Sequence, residues 1–353
     1  MKLKGRGYLA ITASAAVALL GLLALLPNKT ASAATFKVGM AVGGNAANDW
    51  QKAQGDIARA LAAERGWDYV ELSNANDPAT AVKNADVCIQ SHVNAVIQFN
   101  QQPSVNPVLA SKYAAAHIPV ITYDIAQKGF YFVGVDNLAA GHLGGEALGK
   151  IAKEKWNCQP DLVLSAEFTA VGIVNTWRTG GMRDGLKKVC PDIPADKFVS
   201  FEAGDEATSQ ANARDQLAAH PDAKKILIVG ISDDPVLKAI QAAEQLGRAD
   251  QVMGWGQDGA FITGPNVDAH LLGSVFYFLE GYGVYAFRIL DTIAAGSPPA
   301  MKDTAEDPAE RVPPCPVSAA EAQKVPDMQG RVAKLQASPK GTTEYDLFCP
   351  SKS

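Results

Sequence analysis

Residues His117–Ala126 read HIPVITYDIA. Val120, Ile121 and Thr122 are β-branched and follow Pro119, which closes the helical stretch before it, so the run reads as a short buried β-strand. It stops at Asp124, a charge at the strand's carboxyl end, where a buried core excludes one. Two readings stand: a cap or turn residue, or a carboxylate placed to meet a ligand. The segments on either side decide between them.

Working back from this strand, residues 105–116 and 78–92 have helical patterning, and the second helix opens on Asp77 at the N-cap and Pro78 at the first helical position. Residues 95–99, 67–72 and 36–42 are strand-like, and residues 50–65 are helical. Working forward, residues 131–135 make a fifth strand, and the alternation then restarts. Helices at 139–155, 176–189, 209–219 and 235–246 alternate with strands at 162–166, 198–201, 226–230 and 251–255, and a last strand follows at 273–277. Strands separated by helices of this length mean βαβ units and parallel sheets. One such sheet with its helices needs about 130 residues, so two similar α/β lobes are expected. The amphipathic helix at 281–294 is placed to return to the first lobe. From Ser297 the text turns charged and Pro-rich (Pro298-Pro299, Pro313-Pro314, Pro316), and an irregular tail is expected there.

The chain of 353 residues is 47% hydrophobic and 20% charged, the composition of a soluble globular protein. Residues 1–34 stand apart. Lys2, Lys4 and Arg6 precede an apolar run from Leu9 to Leu26, and Ala31-Ser32-Ala33 forms a small-residue cleavage signal, so an export leader is expected. Its removal takes four positive charges and moves the net charge from −5 to −9. An acidic protein without a basic cluster is a poor nucleic-acid binder. Export also allows disulfides. Cys158 and Cys190 each follow a helix and precede a strand, at one edge of one sheet, while Cys315 and Cys349 bracket the tail; these are the two expected bridges. Cys88, on the apolar face of a helix, is expected to be a free buried thiol.

In open parallel sheets, ligands bind at the carboxyl ends of the strands. Those ends carry Asn45, Asn48, Asp49 and Trp50; Asn100, Gln101 and Gln102; Asp124; Glu167 and Phe168; Ser232, Asp233 and Asp234; and Trp255, Gln257 and Asp258, with Arg178 early in a following helix. Carboxylates, amides, one guanidinium and aromatic rings suit a neutral polyhydroxylated ligand, because each hydroxyl both donates and accepts. Asp77, Asp136 and Asp233 are equally good caps and turn formers. The five His are scattered without metal-site spacing, and there is no nucleophile elbow, so no catalytic residue, metal or cofactor is expected. The Gly141-x-x-Gly144-Gly145 pattern lies inside a helix and reads as close helix packing rather than a phosphate loop.

The segments FKVGMAV…NDW, IPVITYD, GVDN…GHLGG, NTWRTGGMRDGL and VMGWGQDG together resemble the ribose-type (type I) periplasmic sugar-binding proteins of ABC transporters, over about residues 35–296. The resemblance implies two Rossmann-like lobes with parallel sheets, joined by a three-strand hinge and closing over one sugar. It implies that Asp124 and Asp258 match the family's sugar-binding Asp residues and Arg178 its sugar-binding Arg. Ser232 falls where an Asn is usual, Tyr277 at a hinge position often filled by Gln, and Trp50 near the ring that stacks on the sugar. Asn48, Asp49 and Phe168 complete the expected ligand set. Crossings near Asp136, Tyr277 and Met301 would divide the chain into a first lobe (35–136 plus 278–301) and a second (137–277 plus 302–353). Many pentose binders follow the Asp with Arg, where this chain has Ile125, and GWGQDG carries two more residues than the usual motif. Those departures disfavour ribose and suit another sugar or a sugar alcohol. The expected protein is a periplasmic monomer that delivers its ligand to a membrane permease. The rivals are a secreted carbohydrate-processing enzyme using Asp124 and Asp258, and a sugar sensor serving a chemoreceptor or kinase.

Overall fold

The computed structural model describes residues 35–350, apart from 43–48, 76, 101–102, 205, 261, 264–266 and 302–308. The leader expected at 1–34 and the site residue Asn48 therefore lie outside the described residues. Among the described residues no helix is long and apolar enough to cross a membrane.

The first lobe is built from β1 (Lys37–Val42), α1 (Asp49–Glu64), β2 (Asp68–Ser73), α2 (Pro78–Gln90), β3 (Ala95–Phe99), α3 (Asn106–Ala115), β4 (Val120–Tyr123) and β5 (Tyr131–Val135). The second contains α4 (Asn137–Trp156), β6 (Leu162–Glu167), α5 (Ile173–Val189), β7 (Phe198–Glu202), α6 (Glu206–Ala219), β8 (Ile226–Gly230), α7 (Asp233–Gln245), β9 (Val252–Asp258) and β10 (Leu271–Phe276). Helix α8 (Tyr282–Ala294) then packs back on α1 and β5. Strand β11 (Ala309–Val312) joins the first sheet and β12 (Cys315–Ser318) the second. The sheet orders are β11-β5-β4-β3-β1-β2 and β12-β10-β9-β8-β6-β7, the same permutation twice. Every pairing is parallel except β12 with β10.

Strands β3, β4, β5 and β8 are buried at every position, as expected of strands covered on both faces. One apolar cluster, including Ile97, Val133, Leu148, Met182 and Phe287, runs through both lobes, and a second cluster covers the remaining face of each sheet. Both expected disulfide pairs are bonded, Cys158 to Cys190 and Cys315 to Cys349, and Cys88 is a buried free thiol.

The tail differs from expectation. The third crossing comes after Val312, not at Met301, because Ala309–Val312 pairs with β5 before the chain passes to the second sheet. Nor is the tail irregular: it holds β11, β12 and three helices, α9 (Ala319–Ala322), α10 (Met328–Gln336) and α11 (Glu344–Phe348). Prolines hid the strands. Pro313-Pro314 fills the crossing itself, and Pro316 sits on an edge strand, where a missing N–H is tolerated. The tail also does not keep to the second lobe. Helix α10 packs on α1, while Cys349 is bonded to Cys315 of β12.

Candidate functional site

Asp124 follows β4 in the left-handed region (φ +57°), a conformation that Asp tolerates better than a branched residue. Its amide still donates to Val133 O of β5 (2.9 Å), so the ladder holds the residue while the chain turns away. The carboxylate is gripped twice: Arg178 Nη2 donates to Oδ2 (2.7 Å) and the Tyr282 hydroxyl to Oδ1 (3.2 Å). Arg178 comes from the second lobe, so the ion pair bridges the two. With side chains only 8% and 13% exposed, it is shielded from the screening that weakens surface pairs.

The position of Arg178 is fixed by a glycine seam. A Cβ on Gly141 would lie 2.4 Å from Arg178 O, and one on Gly145 2.1 Å from Met182 O, so α4 and α5 approach to backbone contact only because these positions carry no side chain. The pattern read as a packing motif is thus what sets Arg178 beside the cleft. Asn137, the first residue of α4, accepts from Arg178 Nε (2.7 Å), and the guanidinium lies over the Tyr277 ring, 4.7 Å from its centroid. Burial works against the Arg178 charge, but Tyr277, Asp124 and Tyr282 outweigh it and hold the pKa above its ordinary value.

Asp258, at the end of β9, also has positive φ (+88°) and accepts from Ala260 N (2.9 Å). It is half-buried and lines the cleft. Burial pushes its carboxyl up to about 7, a shift that the Ala260 amide and Arg178 oppose and that Asp124 and Asp234 reinforce. Tyr277 is fully buried and does not line the cleft. Its hydroxyl donates to Gln257 Oε1 (2.5 Å), whose amide in turn donates to Gly230 O (3.1 Å). The expectation of a ligand contact at Tyr277 gives way to a support role: the ring backs the guanidinium.

A cavity of about 650 Å³ is lined by Trp50, Asp124, Phe168, Arg178, Ser232 and Asp258 of the expected set. Asp49 is the first residue of α1, directly before Trp50. The Trp50 ring meets Phe99 edge-on at 5.4 Å. Asp234, read at a strand end, lines it too, while several lining residues escaped the sequence reading: Gln54, Tyr123 and Tyr282, and from the tail Asp327 and Met328. Tyr282 had a signal, since it stands where the chain re-enters the first lobe, the point at which a residue can reach both lobes. Gln54 and Tyr123 had none, being single polar positions in an amphipathic helix and a core strand. Among the described residues, Gln54 Oε1 and the Tyr123 hydroxyl are buried without a hydrogen-bond partner in a cavity wall. Away from the cleft, Glu244, Asp268 and His270 each bring one ligand-type atom within 4.8 Å of the others. His270 directly precedes β10, at the strand end opposite the cleft.

Comparison with known proteins adds the following. A search of curated sequences finds no match. Among solved structures, similarity extends to a solute-binding protein of an ABC transporter from Bacillus halodurans C-125 with bound myo-inositol (17% identity, TM-score 0.64, covering 87% of this chain and 99% of that one). It extends equally to a periplasmic solute-binding protein from Actinobacillus succinogenes 130z with bound D-allose (18%, TM-score 0.67, 82% and 99%). A third is a solute-binding protein from Mycobacterium smegmatis with bound glycerol (21%, TM-score 0.62, 82% and 96%). At these identities the likeness establishes the shared α/β fold. The family described as the periplasmic binding protein domain matches residues 38–298, most of the chain. With two matched α/β lobes meeting at a polar, aromatic-lined cleft, this chain belongs to the periplasmic binding protein domain family.

Proposed function

We propose that the protein captures a neutral polyhydroxylated solute, a monosaccharide or sugar alcohol, in this cleft after export to the periplasm, and delivers it to an ABC permease. The observation that carries the reading is the Asp124–Arg178 pair, an acceptor from one lobe and a donor from the other, 2.7 Å apart in a single cavity wall. A hydroxyl beside the pair donates to a remaining carboxylate lone pair, and a neighbouring one accepts from the guanidinium, each charge-assisted bond worth about 1.5–3 kcal/mol. Trp50 and Phe168 offer apolar faces to the C–H surface of a ring. A solute that touches both lobes binds the closed arrangement better than the open one and so shifts the population toward it.

The test is a thermal-shift screen against sugars and polyols, followed by calorimetry of the best ligand on Asp124→Ala and Arg178→Ala. Each substitution is expected to weaken binding at least tenfold, and unchanged affinity in both would remove the site assignment. One observation favours a second reading. A carboxyl held near 7 (Asp258) beside an ion-paired one (Asp124) is a combination that acid-assisted glycoside hydrolysis uses. Release of product from aryl glycosides, lost in Asp258→Asn, would establish that reading, while saturable binding without turnover would establish capture.

A further inference from the structure

The tail beyond residue 298 lies outside the family match, yet it reaches the cleft: Asp327 and Met328, at the start of α10, line the same cavity as Asp124 and Arg178. Their placement is built. Arg331, one turn further along α10, forms an ion pair with Glu280, and both are almost fully buried (3% and 1% exposed). Glu280 belongs to the short turn Leu279–Gly281 through which the chain passes from β10 to α8. Arg331 Nη1 also donates to Pro326 O (3.1 Å), and Asp327 Oδ1 accepts from Gly330 N (2.8 Å), capping α10. Further along, Glu344 packs so close to Gly281 that a Cβ there would lie 2.0 Å from its Oε2, and the Cys315–Cys349 disulfide closes the tail onto β12.

On the same side of the cavity, Gln54 is 1% exposed and donates through Nε2 to Leu279 O (2.7 Å), while its Oε1 has no hydrogen-bond partner among the described residues. A buried amide oxygen in a cavity wall is a group that a bound molecule satisfies. The volume is generous as well. A cavity of about 650 Å³ has room for about twenty water-sized units at about 30 Å³ each, more than a single hexose ring fills.

We propose that the tail helix builds an outer subsite, walled by Gln54, Leu279, Asp327 and Met328, which receives a second sugar or polyol unit of a ligand whose first unit sits on Asp124 and Arg178. This rests on the functional reading above and narrows its ligand class to two-unit compounds. Gln54 Oε1 and the Asp327 carboxylate accept hydroxyls of the outer unit, and Met328, unbranched and polarisable, covers its apolar face.

The test is calorimetry on the full disulfide-bonded protein with single-unit probes (D-glucose, D-allose, myo-inositol) and two-unit probes (maltose, lactose, sucrose, galactinol). At least one two-unit probe is expected to bind tenfold or more tightly than its own single unit. Met328→Trp, which fills the outer wall, and Gln54→Leu, which removes the acceptor, are each expected to cut that ratio at least tenfold in protein that melts cooperatively. Single units that bind at least as tightly as every two-unit probe overturn the subsite, and a ratio unmoved by both variants overturns the tail's part in it. Failure of all seven probes instead overturns the capture of polyhydroxylated solutes itself.

Discussion

Asp258 offers the sharpest test of the site's electrostatics. In the folded chain its carboxyl is raised from 3.8 to about 7, mainly by burial, with the nearby Asp124 and Asp234 adding to the rise. The unfolded chain gives up this proton near pH 4, so between about pH 4 and 7 the folded state holds one proton more. Stability then falls as pH rises, by about 1.4 kcal/mol per unit, and levels off above the folded pKa. The full span is about 4 kcal/mol, which water in the cleft screens to about 2–3 kcal/mol. Asp258→Asn removes the titration and little else. Asn tolerates the left-handed backbone at this position, and its carbonyl can still accept from Ala260 N.

The assay is urea unfolding of both proteins at half-unit steps from pH 5 to 8.5. Contributions common to the two proteins cancel, so the difference between the curves reports Asp258. D258N is expected to gain on the wild type by about 1 kcal/mol per pH unit up to pH 7 and to hold that lead at higher pH. Parallel curves would refute the argument, and D258N losing ground as pH rises would reverse its sign.

Further outcomes follow from other parts of the structure. Arg331→Ala leaves Glu280 buried without its cation and should cost about 3–5 kcal/mol in chemical unfolding. Burial raises the Glu344 carboxyl well above its ordinary range, with Glu280 adding to the rise, so Glu344→Gln should be neutral or stabilising at pH 8 in the same assay. Replacing Cys315 and Cys349 by Ser opens a loop with a sequence separation of 34 and should lower stability by about 2–4 kcal/mol, read as a shift in the urea midpoint. Gly141→Ala drives a methyl into Arg178 O and should cost about 1–3 kcal/mol, with a parallel loss of ligand affinity in calorimetry.

The parallel sheets were legible because their strands are short β-branched runs between helices of ordinary length, a local pattern that tertiary context seldom overrides. Asp124 and Asp258 stand out in the sequence for a different reason: strand ends are where such sheets present side chains, and charges there contrast with apolar runs. Arg178, inside a helix, was instead assigned its role by the family resemblance; all three line the cavity. What the residue pattern does not carry is which of these groups meet. Nothing in the spacing says that Asp124 and Arg178 pair directly, or that Tyr277 turns under the guanidinium instead of toward the cleft, since both depend on how one lobe is set against the other. The tail was misread because proline density is a sound signal of irregular chain in isolation and a poor one at a sheet edge. Pro316 and Val317 lie in β12, bonded to β10, a contact between residues about forty positions apart in sequence that no local rule reaches.

The direct pairing of Asp124 with Arg178 leaves room for a ligand, as the count of lone pairs shows. A carboxylate has about four acceptor sites, and Asp124 commits one to Arg178 Nη2 and one to the Tyr282 hydroxyl. Two remain for hydroxyl donors. Arg178 likewise spends Nε on Asn137 at a short 2.7 Å and Nη1 on Ile231 O at a long 3.4 Å, so the weaker of these bonds is the one a ligand oxygen can replace. The pair therefore orders both charged side chains in the absence of any solute, so their ordering would not be subtracted from the binding free energy of one held there. Asn137, Tyr277 and Gln257 matter for the same reason. None of them lines the cavity: Asn137 and Tyr277 hold the guanidinium, and Gln257 holds the Tyr277 hydroxyl.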